Sequence, residues 1–324
     1  MKFKFDSFVV GLIIAIIIAY IYPDLALVGG TFSLDHITTI GVSLIFFFYG
    51  LKLSFGEIKI GLSNWKLHVL VHTSTFILFP LLVLIFYPFI KTEVQHDFWM
   101  SFFFLAALPS TVSSSVVMVS IARGNMPAAI FNSSISGIMG VLITPMWMGL
   151  FLTINNDFDF GHVYLSLFLE IILPVVLGIC LQPILGKWAH KYSIYLSKMD
   201  KLTILLIVYT SFADSFLEHI FDAVNVWYFV AVFTGVIVLF FVVYLIIWYW
   251  SRRIFHFSVE DEITAIFCGS KKSLTHGSVF AKIIFGHIAI GFGLVFFPLM
   301  IFHAFQILVA SVIAQRYAAR NNID

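Results

Sequence analysis

The sequence predicts an all-α polytopic membrane protein of ten transmembrane helices, arranged as two inverted five-helix repeats. Three observations carry that prediction. The 324 residues are 61% hydrophobic and only 11% charged, with a mean hydropathy of +1.03, whereas soluble domains carry about 25% charged residues. Apolar runs approaching the roughly 20 residues that a bilayer requires recur from one end of the chain to the other. Lysine and arginine also collect in alternate connections between those runs.

The runs lie near 8–22, 37–51, 66–90, 98–122, 127–153, 162–186, 202–221, 226–251, 260–286 and 289–315. The first, Val9–Ile21, follows Lys2 and Lys4 and reads as a signal anchor, because it is long and no small-x-small cleavage site follows it. The 38 Phe and 7 Trp suit lipid contact and interfacial belts. Connections are short, none is a Ser/Pro-rich linker, and no soluble domain is predicted. A net charge of +1 implies no nucleic-acid partner. Cys180 and Cys268 both lie inside apolar runs, which gives them no evident disulfide role.

Ten spans put both termini on one side of the membrane. Fourteen of the 18 Lys and Arg fall on that side: Lys2, Lys4, Lys52, Lys59, Lys66, Arg123, Lys187, Lys191, Lys198, Lys201, Arg252, Arg253, Arg316 and Arg320. The other side holds Lys91 and Lys282 with Asp24, Asp35, Glu93, Asp97, Asp157, Asp159, Glu218 and Asp222. The positive-inside rule makes the first side cytoplasmic, in a multi-pass protein of the bacterial inner membrane. Ten divides into five and five, residues 1–160 and 161–324, and an odd-numbered unit repeated once must enter the membrane from opposite faces.

Two spans are interrupted at matching offsets, the best sequence pointer to a binding site in such folds. The fourth span breaks at Pro109, followed by Ser110, Thr111, Ser113, Ser114 and Ser115. A proline removes a backbone donor and frees carbonyls, and with five hydroxyls these make a hard-oxygen site for a small cation or a donor set for an anion. Small residues for helix packing would recur every fourth position instead of clustering beside a proline. The fifth span opens with Asn132, Ser133, Ser134, Ser136 and Gly137; helical spacing puts Asn132, Ser133 and Ser136 on one face. That face can meet the Ser113–Ser115 cluster, and interhelical hydrogen bonding and ligand binding are both open for it.

The ninth span breaks at Gly269, within Phe267-Cys268-Gly269-Ser270-Lys271-Lys272-Ser273-Leu274. A charge at the bilayer centre costs about 2.5–3.5 kcal/mol even on lenient insertion scales. Two adjacent lysines there are expected to face a polar cavity, with Gly269, Ser270 and Ser273 offering bare backbone and hydroxyls to it. Pairing with a carboxylate is the structural alternative, and Asp214 and Glu170 are the acids well inside spans. Upstream, Ser258 and Asp261 resemble a capping box that starts the ninth helix, with Glu260, Asp261 and Glu262 complementing the helix dipole. Arg123 reads as a cytoplasmic anchor. His68 and His72 have the i, i+4 spacing of two metal ligands but no third ligand nearby, so they and His303 read as hydrogen-bonded helix residues. No nucleotide loop, nucleophile elbow or zinc spacing appears, and the chain does not read as an enzyme.

Pro109-Ser110-Thr111-Val112-Ser113-Ser114-Ser115, then Ala122-Arg123-Gly124-Asn125, Phe131-Asn132-Ser133-Ser134 and the lysine stretch resemble the bile acid:sodium symporter superfamily, in its SBF-like branch related to sodium/bile acid cotransporter 7. The resemblance implies a core domain of spans three to five and eight to ten, about 66–153 and 226–315. A panel of spans one, two, six and seven would occupy about 8–51 and 162–221. It implies broken spans four and nine crossing in the core, substrate between core and panel, and sodium ions as the only cofactor. Ser114 and Ser115 match a serine–asparagine pair that holds sodium, and Ser133 or Ser134 matches a hydroxyl ligand. The chain departs from the sodium-coupled pattern in the ninth span, where Phe267 replaces a carboxylate and Lys271 a glutamine.

A secondary transporter of a small organic anion, working by alternating access in the lipid bilayer, is the function expected. Sodium symport is one form of it. Proton coupling or uniport, with Lys271 or Lys272 in place of sodium, is another, and a non-transporting regulator of ion homeostasis is the alternative from a different class.

Overall fold

The computed structural model describes residues 7–27, 34–52, 64–152, 160–217, 219, 226–285 and 292–322. Among these the regular elements are all helical. They are α1 (Ser7–Ile21), α2 (Leu34–Lys52), α3 (Trp65–Thr73, carried through a π turn, Ser74–Leu78, to Phe79–Leu84), α4 (Glu93–Ala107), α5 (Ser113–Ile121) and α6 (Met126–Leu152). Then follow α7 (Phe160–Leu167, through a π turn, Phe168–Ile172, to Leu173–Lys191), α8 (Ser193–Leu217), α9 (Val226–Tyr249, ending in a π turn, Trp250–Ile254), α10 (Val259–Gly269), α11 (Leu274–Phe285) and α12 (Phe292–Ala318).

Among the described residues, five helical stretches are long and apolar enough to cross a membrane: Trp65–Phe89, Met126–Leu152, Gly161–Lys191, Val226–Ile254 and Gly293–Ala318. The chain is an integral membrane protein. Val10–Ile21 and His36–Lys52 are shorter apolar helices. The runs at 98–122 and 260–286 are each divided by a break into two short helices. The run at 202–221 belongs to a helix that begins earlier, at Ser193, because helical structure continues through a charged turn. There Lys198 lies over the Tyr195 ring and Lys201 over the Phe8 ring, covering apolar surface with their stems. Lys2, Lys4, Lys59, Asp157, Asp159, Glu218 and Asp222 of the charge count, and residues 289–291 of the last run, lie outside the described residues.

Prolines explain two of the π turns. A proline at position i removes the bond to the carbonyl at i−4 and crowds it, and a helix relieves this by widening one turn. Ser74–Leu78 precedes Pro80 and Phe168–Ile172 precedes Pro174; in each the next amide reaches back five residues, Phe79 N to Ser74 O and Leu173 N to Phe168 O. The Phe76 carbonyl, which Pro80 cannot serve, accepts from Trp147 Nε1 at 2.9 Å.

The chain forms two compact units, one from residues 1–54, 159–225 and 278–296, the other from 55–158, 226–277 and 297–324. Each takes residues from both sequence halves. In the first unit α1 packs on α8, and α2 packs on α7 and α8. The α2–α7 crossing is a backbone contact: a Cβ on Gly178 would lie 2.2 Å from Phe47 O, and one on Gly50 would lie 2.3 Å from Val175 O. Lipid gives apolar side chains little reason to associate, so close backbone approach at small residues is what joins such helices. Tyr209 Oη donates to Tyr22 O at 2.6 Å, serving the carbonyl just beyond α1.

The second unit is built on aromatic side chains. Trp99 and Phe103 stack at 4.7 Å, with Tyr87, Trp147 and Phe151 edge-on or tilted around them, which ties the turn after α3 to α4 and α6. Phe79, Phe240, Phe302 and Phe305 tie α3, α9 and α12 in the same way. The start of α10 is the unit's polar anchor. Ser258 caps it as expected, its Oγ accepting from Asp261 N at 3.2 Å. The three acids do more than complement a dipole. Asp261 accepts from Asn64 and Asn125 at 2.7 and 2.8 Å, Glu262 accepts from Arg252 and from Tyr317 Oη, and Glu260 accepts from Arg320. They join the cap of α3, the turn before α6 and the ends of α9 and α12 to one helix terminus.

Replacing Gly178 with Ala forces the α2 and α7 backbones apart, a cost of about 1–3 kcal/mol by analogy with overpacked cores. The purified variant should melt below wild type in detergent. Gly11→Ala, whose Cβ would meet only the flexible Leu205 side chain at 3.3 Å, should melt close to wild type. Equal melting of Gly178→Ala and wild type would refute the backbone contact.

Candidate functional site

Both interruptions read from the sequence are present, and they are bonded to each other. α4 stops at Ala107 and α5 starts at Ser113; α10 stops at Gly269 and α11 starts at Leu274. Breaking a helix frees carbonyls that water cannot reach inside a membrane, so each must find a donor within the protein. At the first break four in a row do. Ala106 O and Leu108 O accept from Lys272 Nζ, Ala107 O from Thr144 Oγ1, and Pro109 O from the Ser273 amide. The Ser110 amide, which would have served Ala106 in an unbroken helix, donates instead to Ser136 Oγ at 2.9 Å. A Cβ on Gly140 would lie 2.7 Å from the Pro109 ring, so the absent side chain is what lets α6 lie against the break.

The second break is served in return. Ser110 Oγ donates to Cys268 O at 2.5 Å and Ser115 Oγ to Phe267 O at 2.9 Å. Ser270 Oγ turns back onto Ile266 O at 2.6 Å. Gln306, from α12, clamps the unwound residue itself: its Oε1 accepts from the Lys272 amide at 2.9 Å, and its Nε2 donates to Lys272 O at 2.8 Å. Ser273 Oγ accepts from the His276 amide and lies 2.9 Å from His276 Nδ1, which starts α11.

Lys271 and Lys272 are both 0% exposed, and their ammonium groups differ sharply. Lys272 Nζ donates to three carbonyls, Thr75 O at 2.7 Å, Ala106 O at 2.6 Å and Leu108 O at 2.7 Å, and sits 4.1 Å from the centre of the Phe79 ring. Lys271 Nζ donates to one, Ser114 O at 2.9 Å, and lies 5.5 Å from the Phe267 ring. An ammonium has three donors, so Lys272 is saturated and Lys271 keeps two. Among the described residues, carbonyl oxygens partner both ammonium groups. The polar cavity expected around Lys272 is likewise filled by protein oxygens.

The other residues singled out divide into three groups. Thr111 Oγ1 lies 2.7 Å from Ser114 Oγ and 2.8 Å from Ser115 Oγ, a hydroxyl trio beside Lys271. The polar face of α6 reaches elsewhere than expected: Ser136 goes to Ser110, Asn132 Oδ1 lies 3.1 Å from His68 Nδ1, and Ser133 Oγ lies 3.6 Å from Cys268 Sγ. The reason is register, since Ser115 points along α5 toward α10 rather than toward α6. Ser134 and Gly269 are buried, and Ser113 is exposed, apart from the others. His72, the partner of His68 in spacing, lines a cavity of about 470 Å³ on α3 and α6 with Phe76, Met139, Ile143, Trp147 and Leu150. That cavity is not at the crossing of the breaks. Among the described residues no group of three His, Cys, Asp or Glu could hold a metal ion.

Sequence reasoning missed Gln306, Thr75 and Thr144. Gln306 carried a signal, as an amide in the middle of an apolar helix, the kind of residue that glues helices in membranes. Thr75 gave none, because it contributes a main-chain oxygen freed by the π turn: Phe79 N, its ordinary partner, bonds Ser74 O instead.

Residues 6–319 match the family model of the SBF-like CPA transporter family. The chain belongs to that family. It is 35% identical to an uncharacterized protein of Pseudomonas aeruginosa over 322 residues, covering 99% of this chain and 95% of the relative. It is 34% identical to YfeH of Escherichia coli, named as a symporter, over 314 residues, with 96% and 92% covered. With sodium/bile acid cotransporter 7 of Rattus norvegicus the identity is 29% over 318 residues, with 95% and 91% covered. The family resemblance read from the serine and lysine stretches is thus correct, and the protein is a membrane transporter of that kind acting on a small molecule.

Replacing Gln306 with Leu would leave the Lys272 amide and carbonyl unpaired in the interior. Each unpaired buried group costs about 1–3 kcal/mol, so the variant should melt well below wild type in detergent. An unchanged melting temperature would show that the clamp does not hold the break.

Proposed function

We propose that the protein is a secondary active transporter that moves a small organic anion by alternating access, with the paired helix breaks as its ligand site. The observation that carries this reading is Lys271, a fully buried ammonium with one protein partner and two donors left over. An intramembrane charge is costly unless something meets it, and an anion would complete that shell beside Thr111, Ser114 and Ser115, whose own hydroxyl protons run in a chain to Phe267 O. Ser110, Asn132, Ser133, Ser134, Ser136, Gly269, Ser270 and Ser273 support the site by holding the breaks, and Lys272 holds them too. Relatives named as a symporter and as a sodium/bile acid cotransporter support transport and suggest a bile acid as one anion to try.

The architecture that goes with this reading is ten spans in two inverted five-helix repeats, 1–160 and 161–324, with core and panel domains. The membership of the two compact units, one holding 55–158 with 226–277 and 297–324 and the other 1–54 with 159–225, supports it except at 278–296, which the expectation gives to the core and which falls in the other unit. Charge segregation supports cytoplasmic termini, in a bacterial inner membrane. Sodium symport would use oxygens among Ser113, Ser114, Ser115 and Asn132, of which Ser114 and Ser115 lie together at the first break and Asn132 bonds His68 instead. The three carbonyls around Lys272 favour the sodium-independent form, proton-coupled or uniport, because an ammonium already stands among the oxygens of the break.

The test is uptake of labelled organic anions, taurocholate among them, into proteoliposomes with sodium or choline outside. Uptake of at least one anion is expected with choline as well as sodium, and Lys271→Gln should lower it by at least about tenfold, which corresponds to 1.4 kcal/mol of lost interaction. Unchanged uptake by Lys271→Gln would reject the lysine's role. Binding without flux for every anion would reject transport.

A further inference from the structure

We infer that the Lys272 ammonium is a tethered cation occupying a monovalent-cation site, formed by the carbonyl oxygens of Thr75, Ala106 and Leu108 under the face of Phe79. Each of the three oxygens is released by a separate backbone event. The π turn in α3 redirects Phe79 N to Ser74 O and leaves Thr75 O without its helical donor. The break after α4 sends Ser110 N to Ser136 and leaves Ala106 O open. Leu108 O lies in the unwound segment itself, next to a proline. The lysine does not create the cage; it fills one that the backbone has built.

The number of partners sets the charge state. Three carbonyl oxygens at 2.6–2.7 Å require three N–H donors, and a neutral amine has only two. The occupant is therefore cationic, and the ring 4.1 Å away presents its negative face to it. Among the described residues no carboxylate contributes. A set of uncharged carbonyl oxygens is the donor chemistry that holds monovalent ions, whereas calcium and magnesium sites recruit carboxylates. Lys272 cannot meet a substrate without abandoning a carbonyl, and Lys271, with one partner, is the lysine left for that task.

The consequence for coupling rests on the transport reading above: a positive charge carried on the chain takes the place of an ion drawn from solution, so this part of the site consumes no gradient. The cage itself does not rest on that reading and is tested without transport. Lys272→Ala keeps all three carbonyls and removes the ammonium. Thermal unfolding of the purified variant in detergent should show a low Tm in choline chloride and a saturable rise in sodium, potassium or methylammonium chloride, because a cation bound only by the folded state raises its stability. Wild type and Lys271→Gln should melt at the same temperature in all four salts.

A Lys272→Ala protein indifferent to all three cations would overturn the inference. So would Lys272→Met melting as high as wild type, since the cage would then need no charge. Failure to recover folded Lys272→Ala even when it is purified throughout in methylammonium would count against it as well, because the cage would not have been refilled. Loss of uptake in Lys271→Gln alongside a cation-indifferent Lys272→Ala would remove this inference and leave the transport reading standing.

Discussion

A helix broken inside a membrane must find partners for the carbonyls it releases, and that requirement shapes the second unit of this protein more than any other. Ala106, Ala107, Leu108 and Pro109 would each be a buried acceptor without a donor. Their donors come from a lysine, a threonine and a backbone amide on other elements. The second break is repaid by serines from the first. Neither interruption would persist alone, since each supplies donors to the other and no solvent stands in reserve.

The same constraint explains why two adjacent lysines have different work. Lys272 is committed to backbone oxygens on α3 and α4 and is held at its own backbone by Gln306. Lys271 points the other way, to the first turn of α5, where the hydroxyl trio lies. One ammonium stabilises the broken geometry and the other stands at its edge with donors to spare. The positive charge at the breaks thus belongs to the chain.

Away from the breaks, the two units are held by different means. In the first, Gly50 and Gly178 let two backbones touch. In the second, aromatic faces fill the interior and the acids at the start of α10 gather polar ends of four other segments. Ion pairs and hydrogen bonds at a helix terminus suit the polar edge of a membrane protein, where Glu260 and Arg320 are partly exposed and Glu262 is not.

Membrane character, the positions of both helix breaks, the cap at Ser258 and the family were legible in the sequence, because each is a local signal: hydropathy over a span, a proline beside hydroxyls, lysines amid apolar residues. Which polar groups meet was not. The α6 face that spacing aligned toward Ser113–Ser115 reaches Ser110, His68 and Cys268 instead, and the oxygens around Lys272 are main-chain atoms that no residue type announces. The sequence by itself determined that charge and unwound backbone would share the interior. Only the tertiary structure decided which lysine would be saturated, because a carbonyl becomes an acceptor through the path of the backbone and not through the identity of its side chain.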